Sequence, residues 1–237
     1  MIKFFRKIRK KLIEQGKTAQ YLKYAIGEIV LVVVGILIAL SISNWNETRK
    51  SISSEKRYVT DLIQDLKSDS IKLNEIDIFL KSKSQSKAKI VTLLQENKVA
   101  IDSIGFHFIN QWAVSGRFTP TNITIEELKN SGSLNVIRDV NLRRQIVSLY
   151  NSYSNEAFTE DTFNNQNIKL VDLAGAYFKN LIEPTTDEIF IALEDNKFIN
   201  GIQTNFTFTR LNAINDLQTK CFNLIQNLEK YKAEINH

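Results

Sequence analysis

Three apolar patterns succeed one another along the chain, each predicting a different kind of helix. Residues 24–45, YAIGEIVLVVVGILIALSISNW, are apolar almost without interruption. A run of this length and composition is a membrane-spanning helix candidate. Beyond it, Ile52, Val59, Leu62, Leu66, Leu73, Ile76 and Leu80 step along a heptad seam in which Glu55 and Asp69 are the polar occupants. Alternating three- and four-residue steps predict a helix packed on one face. There is neither glycine nor proline from Ile36 to Ile104, so the span can continue as one long helix past the membrane surface, with Asn44 and Asn46 the best place for a break. The polar run KSKSQSKAK at 81–89 reads as the distal end of that helix. The third pattern is Ile214, Leu217, Cys221, Leu224, Leu228, Tyr231 and Ile235, which predicts a last helix over Phe206–Ile235.

Shorter helices are predicted between the two long ones. Lys87–Gln95 is one, and Ile101, Ile104, Phe108 and Trp112 mark the face of another. SGRFTPTN at 115–122 is a turn-rich connection. Thr124 and Glu127 fit a capping box opening a short helix that Gly132 ends. Asp139 caps the next helix, with Leu142, Ile146, Leu149 and Tyr153 on its face. Phe163, Leu170, Leu173, Tyr177 and Leu181 carry the apolar pattern on to Pro184. Thr185 and Glu188 form a second capping box, opening a helix through Leu193, and Gly201 separates it from the last helix. NFTFTR at 205–210 is the one strand-like alternation. The fold class expected is all-α: one N-terminal transmembrane helix, then an antiparallel helical bundle with long first and last helices.

An α-helix rises about 1.5 Å per residue, so Tyr24 and Trp45 would lie roughly 31 Å apart, matching a hydrocarbon core of about 30 Å. Tyr21, Tyr24 and Trp45 fall where interfacial aromatic belts belong. The segment 1–23 carries Lys3, Arg6, Lys7, Arg9, Lys10, Lys11, Lys17 and Lys23 against Glu14 alone. The whole chain has 31 bases and 26 acids, net +5; without this tail, 23 bases and 25 acids remain, net −2. The basic balance therefore belongs to the tail, and nucleic-acid binding loses its support. Bases beside a span stay cytoplasmic, which places the N-terminus inside and residues 46–237 outside. Lys3, Arg6, Lys7, Arg9, Lys10 and Lys11 are the candidate contacts to anionic lipid headgroups, at about 1 kcal/mol per base. The rival reading is a cleaved signal peptide with Ala39-Leu40-Ser41 near its cleavage site. The long tail and full-length span favour an uncleaved anchor.

Gly35, Ala39 and Ser43 recur every four residues, a spacing that lets two membrane helices approach closely, although small residues are also common in spans. Glu28 is the charged residue of the run. It is either a carboxylate snorkelling to the inner interface, a polar contact to a partner helix, or, least economically, part of an ion path.

The opening MIKFFRKIRKKL, followed by YLKYAIGEIVLVVVGILIALSISNWNE, resembles a family of uncharacterised single-pass membrane proteins of Gram-negative bacteria. ITIEELKNSGSLNVIRDVNLRRQIVSLYNSY at 123–153 is similar to a second stretch of that family. The resemblance implies a bacterial inner membrane and a periplasmic domain, and it transfers no active site.

Signatures of chemistry are missing. Cys221 is the one cysteine, on an apolar seam where a structural thiol is expected. His107 and His237 are the only histidines, and there is no HExxH, CxxC, phosphate loop or GxSxG. Ser131-Gly132-Ser133 reads as a turn, and the acid pairs Glu126/Glu127 and Glu160/Asp161 read as solvated helix residues. No enzyme activity, metal or cofactor is expected. The function expected is a membrane-anchored interaction or scaffold protein, an accessory subunit of an inner-membrane complex, with Glu28, Gly35, Ala39 and Ser43 contacting a partner span or a second copy. The alternative is a sensory ectodomain that binds a small ligand and signals through a separate partner.

Overall fold

The computed structural model describes residues 18–96, 104–114 and 116–235. The order of elements is α1 (Thr18–Glu96), α2 (Ile104–Trp112), α3 (Ile123–Asn130), a 3₁₀ turn (Ser133–Val136), α4 (Val140–Ala174), α5 (Thr186–Leu193), α6 (Asn196–Thr204) and α7 (Thr207–Glu234). The described residues are all-helical and contain no strand. NFTFTR is not a strand: Asn205 and Phe206 form the turn into α7 and the rest is its first turn. The chain divides into two compact units, Met1–Ser54 and Glu55–His237.

In the first unit α1 passes through Asn44 and Asn46 without the expected break. Its hydroxyl side chains bond back onto the helix, Ser41 Oγ to the Leu37 carbonyl at 2.8 Å and Thr48 Oγ1 to that of Asn44 at 2.9 Å. With no proline to remove a donor, two asparagines cost too little to stop the helix. Every large apolar side chain from Ile29 to Ile42 is 46–64 % exposed. Arg49 lies 5.9 Å from the Trp45 ring centroid.

In the second unit α1 is also unbroken to Glu96, so the separate helix expected at Lys87–Gln95 is its last turns. The predicted seams are the core. Val59, Leu62, Leu66, Leu73 and Leu80 of α1 are wholly buried against Ile125 and Leu128 of α3, Ile146 and Phe163 of α4, and Ile214, Cys221 and Leu228 of α7. Contacts of α1 with α7 and the turn before it pair rising numbers with falling ones: Glu55 with Tyr231 at 2.5 Å, Lys67 with Glu229 at 2.7 Å, and Lys87 with Asn205 at 3.2 Å. A second apolar cluster gathers Ile90, α2 residues Ile104, Phe108 and Trp112, Leu170 and Ala174 of α4, Ile189 of α5, and Phe198 and Ile202 of α6. Phe108 stacks on Phe198 with centroids 6.1 Å apart.

The ends of the helices show which local signals acted. Asp139 accepts from the Asn141 and Leu142 N–H groups, and Thr185 and Glu188 form the predicted reciprocal box. Thr124 is not a cap. Helix α3 starts at Ile123 after Asn122, and the Thr124 N–H donates to Asp65 of α1 at 3.1 Å. Gly132 takes φ +65°, the left-handed turn that glycine accepts most readily. Helix α4 stops at Ala174, short of the expected Pro184. Gly201 lies inside α6 rather than after it: a Cβ there would sit 3.3 Å from Leu170 Cδ1 and 3.4 Å from Leu173 Cδ1. It is a close helix approach, not a helix end.

Candidate functional site

The residues of the long apolar helix singled out by sequence present themselves simply. Gly35, Ala39 and Ser43 are exposed, and nothing described lies within 4 Å of a Cβ placed on Gly35. Glu28 is half-buried. Lys3, Arg6, Lys7, Arg9, Lys10, Lys11, Ile101 and His237 lie outside the described residues.

The second unit holds an organised polar site, of which the apolar pattern marks only Glu55 and Asp69. Along α1, carboxylates take backbone N–H groups and lysines take carbonyls. Glu55 accepts from the Arg138 N–H at 2.7 Å, from Arg138 Nε at 2.7 Å and from the Tyr231 hydroxyl at 2.5 Å. Asp69 accepts from the Thr121 N–H at 2.8 Å. Lys72 donates to the Thr119 carbonyl at 2.9 Å, and Lys87 to that of Gln203. These are groups of irregular segments and helix ends, which need partners once water is excluded.

The densest part of this arrangement is a charged belt between the two apolar clusters. On α1, Lys83 and Ser86 fall between Leu80 and Ile90; on α4, Asn167 falls between Phe163 and Leu170. Lys83 is fully buried, and α1 runs on past KSKSQSKAK to Glu96, so that run is not the distal end of the helix. Its ammonium donates to the carbonyls of Gln111 and, at 2.8 Å, Ala113, which end α2, and to Asn167 Oδ1 at 3.0 Å. A cation at a helix C-terminus is favourable. Burial, with Lys87 one turn on, nonetheless pushes the Lys83 ammonium down to about 7. Ser86 accepts from Asn110 at 3.0 Å and lies 3.1 Å from His107 Nδ1. Burial lowers the pKa of His107 below the usual imidazole value.

Arg210 is the other fully buried cation among the described residues. Its Nε lies 3.3 Å from Glu156 Oε1 and its Nη2 3.2 Å from Glu160 Oε2. Glu160 also accepts from the Phe118 N–H at 3.0 Å. Glu160 is thus a buried ligand of backbone and guanidinium, not the solvated residue that its place beside Asp161 suggests. Burial, reinforced by Glu160, outweighs Arg210 and raises Glu156 to about 7. The Phe163 ring lies between the two cations, 5.3 Å from Lys83 Nζ and 5.0 Å from Arg210 Cζ. Only the helix period could have shown these side chains pointing inward. Their charge argued the other way.

The belt ties α1 to the end of α2 and to α4, and α4 to α7. Every proton of Lys83 goes to a carbonyl oxygen, and no group of three or more His, Cys, Asp or Glu among the described residues could hold a metal. Cys221 is buried with its thiol 3.4 Å from the Leu66 carbonyl, and burial raises its pKa. Open grooves run along α4, one of about 700 Å³ beside Val140, Arg144 and Asn151, and another of about 460 Å³ toward α7 at Lys220 and Asn227. Neither is lined by Lys83, Arg210, Glu160 or Cys221.

One family model matches residues 28–209, that of a family of unknown function. No curated protein and no solved structure matches the chain.

Proposed function

We propose that this chain, which belongs to the family of unknown function DUF6090, is a single-span membrane protein that displays a helical interaction domain as an accessory or scaffolding subunit of a membrane complex. Its N-terminus is cytoplasmic. Residues 46–237 form an antiparallel bundle in the periplasm, and the membrane is the inner membrane of a Gram-negative bacterium. The observation that carries the reading is the run Ile29–Ile42, whose large apolar side chains are all 46–64 % exposed on one helix. It is the one helix among the described residues long and apolar enough to cross a membrane. Burying apolar surface contributes about 25 cal/mol per Å², so a row this long needs a cover, and lipid supplies one on every side. The descending pairing of α7 along α1 supports the antiparallel bundle. The excess of bases before the span supports the orientation.

Alkaline phosphatase, active only outside the cytoplasm, fused after residue 237 tests the topology. The expected result is an active fusion that stays in the membrane pellet after alkaline carbonate washing. An inactive fusion at normal expression overturns the orientation, and release by carbonate overturns the anchor.

A further inference from the structure

The segment between Lys179 and Lys197 contains no lysine or arginine and five carboxylates: Glu183, Asp187, Glu188, Glu194 and Asp195. Two of these serve the fold. Glu188 closes the box with Thr185 and accepts from the Lys179 N–H at 3.1 Å; Asp195 bonds to the Tyr177 hydroxyl and accepts from the Lys197 N–H at 2.8 Å. Glu183, Asp187 and Glu194 are exposed and make no ion pair among the described residues. Asp187, Phe190, Ile191 and Glu194 stand at i, i+3, i+4 and i+7, one face across α5 and its C-cap. Phe190 and Ile191 are exposed on it, and Ile182 lies exposed just before the helix. The other side of α5, through Ile189 and Ala192, is buried in the second core. The helix is therefore fixed by its cap and its core, and it offers water an apolar pair bracketed by carboxylates.

We propose that this face docks a helical segment of a partner protein, one whose apolar stripe is edged by lysine and arginine. The proposal rests on the reading of the chain as an interaction protein and names the chemistry of its partner. Apolar residues at three–four spacing are read by the same spacing on a second helix. Unpaired carboxylates on both sides select a basic edge and reject an acidic one or an anionic lipid surface. Because α5 is already ordered, little conformational freedom is lost on docking.

The test uses the full chain in zwitterionic nanodiscs, with empty nanodiscs as the blank. The probes are two labelled helical peptides, one of leucines and lysines at three–four spacing and the same design with glutamate for lysine. The leucine–lysine peptide is expected to bind the wild type and the leucine–glutamate peptide to be rejected. Phe190→Ser with Ile191→Ser, and separately Asp187→Lys with Glu194→Lys, should each weaken binding by about tenfold or more. The charge reversal should also turn the preference toward the leucine–glutamate peptide. Ile78→Ser, an exposed site on α1, should change nothing. Circular dichroism melts verify that the variants fold. Equal binding to all variants, or to both peptides, overturns the proposal. Dimerisation of the wild type abolished by either pair of changes overturns it in favour of a second copy. Carbonate release of a chain that still binds the lysine peptide would remove the anchor and leave this face standing.

Discussion

Glu55 shows how much one buried carboxylate can hold. It joins the start of the folded unit to the α4 entry and to the end of α7 through three hydrogen bonds, and it is wholly buried. Glu55→Ala leaves the Arg138 N–H and the Tyr231 hydroxyl without an acceptor and should cost about 2–3 kcal/mol in urea unfolding. The belt makes a pH prediction with two limbs. Glu156, raised from 4.5 to about 7, binds its proton more tightly when folded, so stability falls as pH rises from 4.5 to 7. Lys83, lowered from 10.5 to about 7, binds its proton more tightly when unfolded, so stability rises from pH 7 to 10.5. Urea midpoints should therefore pass through a minimum near neutral pH. Glu156→Gln should flatten the acid limb and Lys83→Met the alkaline one. A profile without that minimum would show that at least one of the two groups does not keep its shifted proton affinity.

Helix faces were readable at the scale of elements because their period is local. Leu224 and Leu228 lie on the seam of α7 and are buried, while Asn227 is exposed and reaches only Gln145. Alanine at either leucine should cost about 2–5 kcal/mol, and alanine at Asn227 about 0.5 kcal/mol or less. Thermal melts of the full chain in detergent decide; equal effects would mean that the face of α7 is misplaced. Gly132→Ala forces a Cβ into the left-handed region and should cost about 1 kcal/mol. Helix ends were less legible. Thr185 with Glu188 folded as a box, whereas Thr124 with Glu127 did not: Glu127 Oε1 accepts from the Tyr58 hydroxyl at 2.8 Å and from Arg57 at 3.2 Å instead. A side chain offered a long-range partner leaves the local one, and sequence spacing reports only the local offer.

At the scale of the whole molecule, function depends on what covers the exposed rows. If the Gly35–Ala39–Ser43 face meets a partner span, Gly35→Leu and Ala39→Leu should lower association in membranes, because close approach is sterically blocked. On the proposed membrane-spanning reading, Leu31→Ala should be nearly silent, since lipid would solvate the site either way. A self-association or crosslinking assay in native membranes separates them. Full association in both leucine variants would leave the span as an anchor alone.

Periodicity and composition by themselves determined the all-helical class, the one long apolar helix, the seams of α1 and α7, and the caps at Asp139 and Thr185. Each is a property of residues within a few turns of one another. Only the tertiary structure decided that Lys83, Glu160 and Arg210 turn inward, that Gly201 is a packing site within a helix, and that α1 runs unbroken to Glu96. A charged residue in a sequence is read as solvated, because burying it alone costs several kcal/mol. Acceptors that offset this cost for Lys83 come from residues 28 to 84 positions away in the chain, on helices whose arrival no local pattern announces.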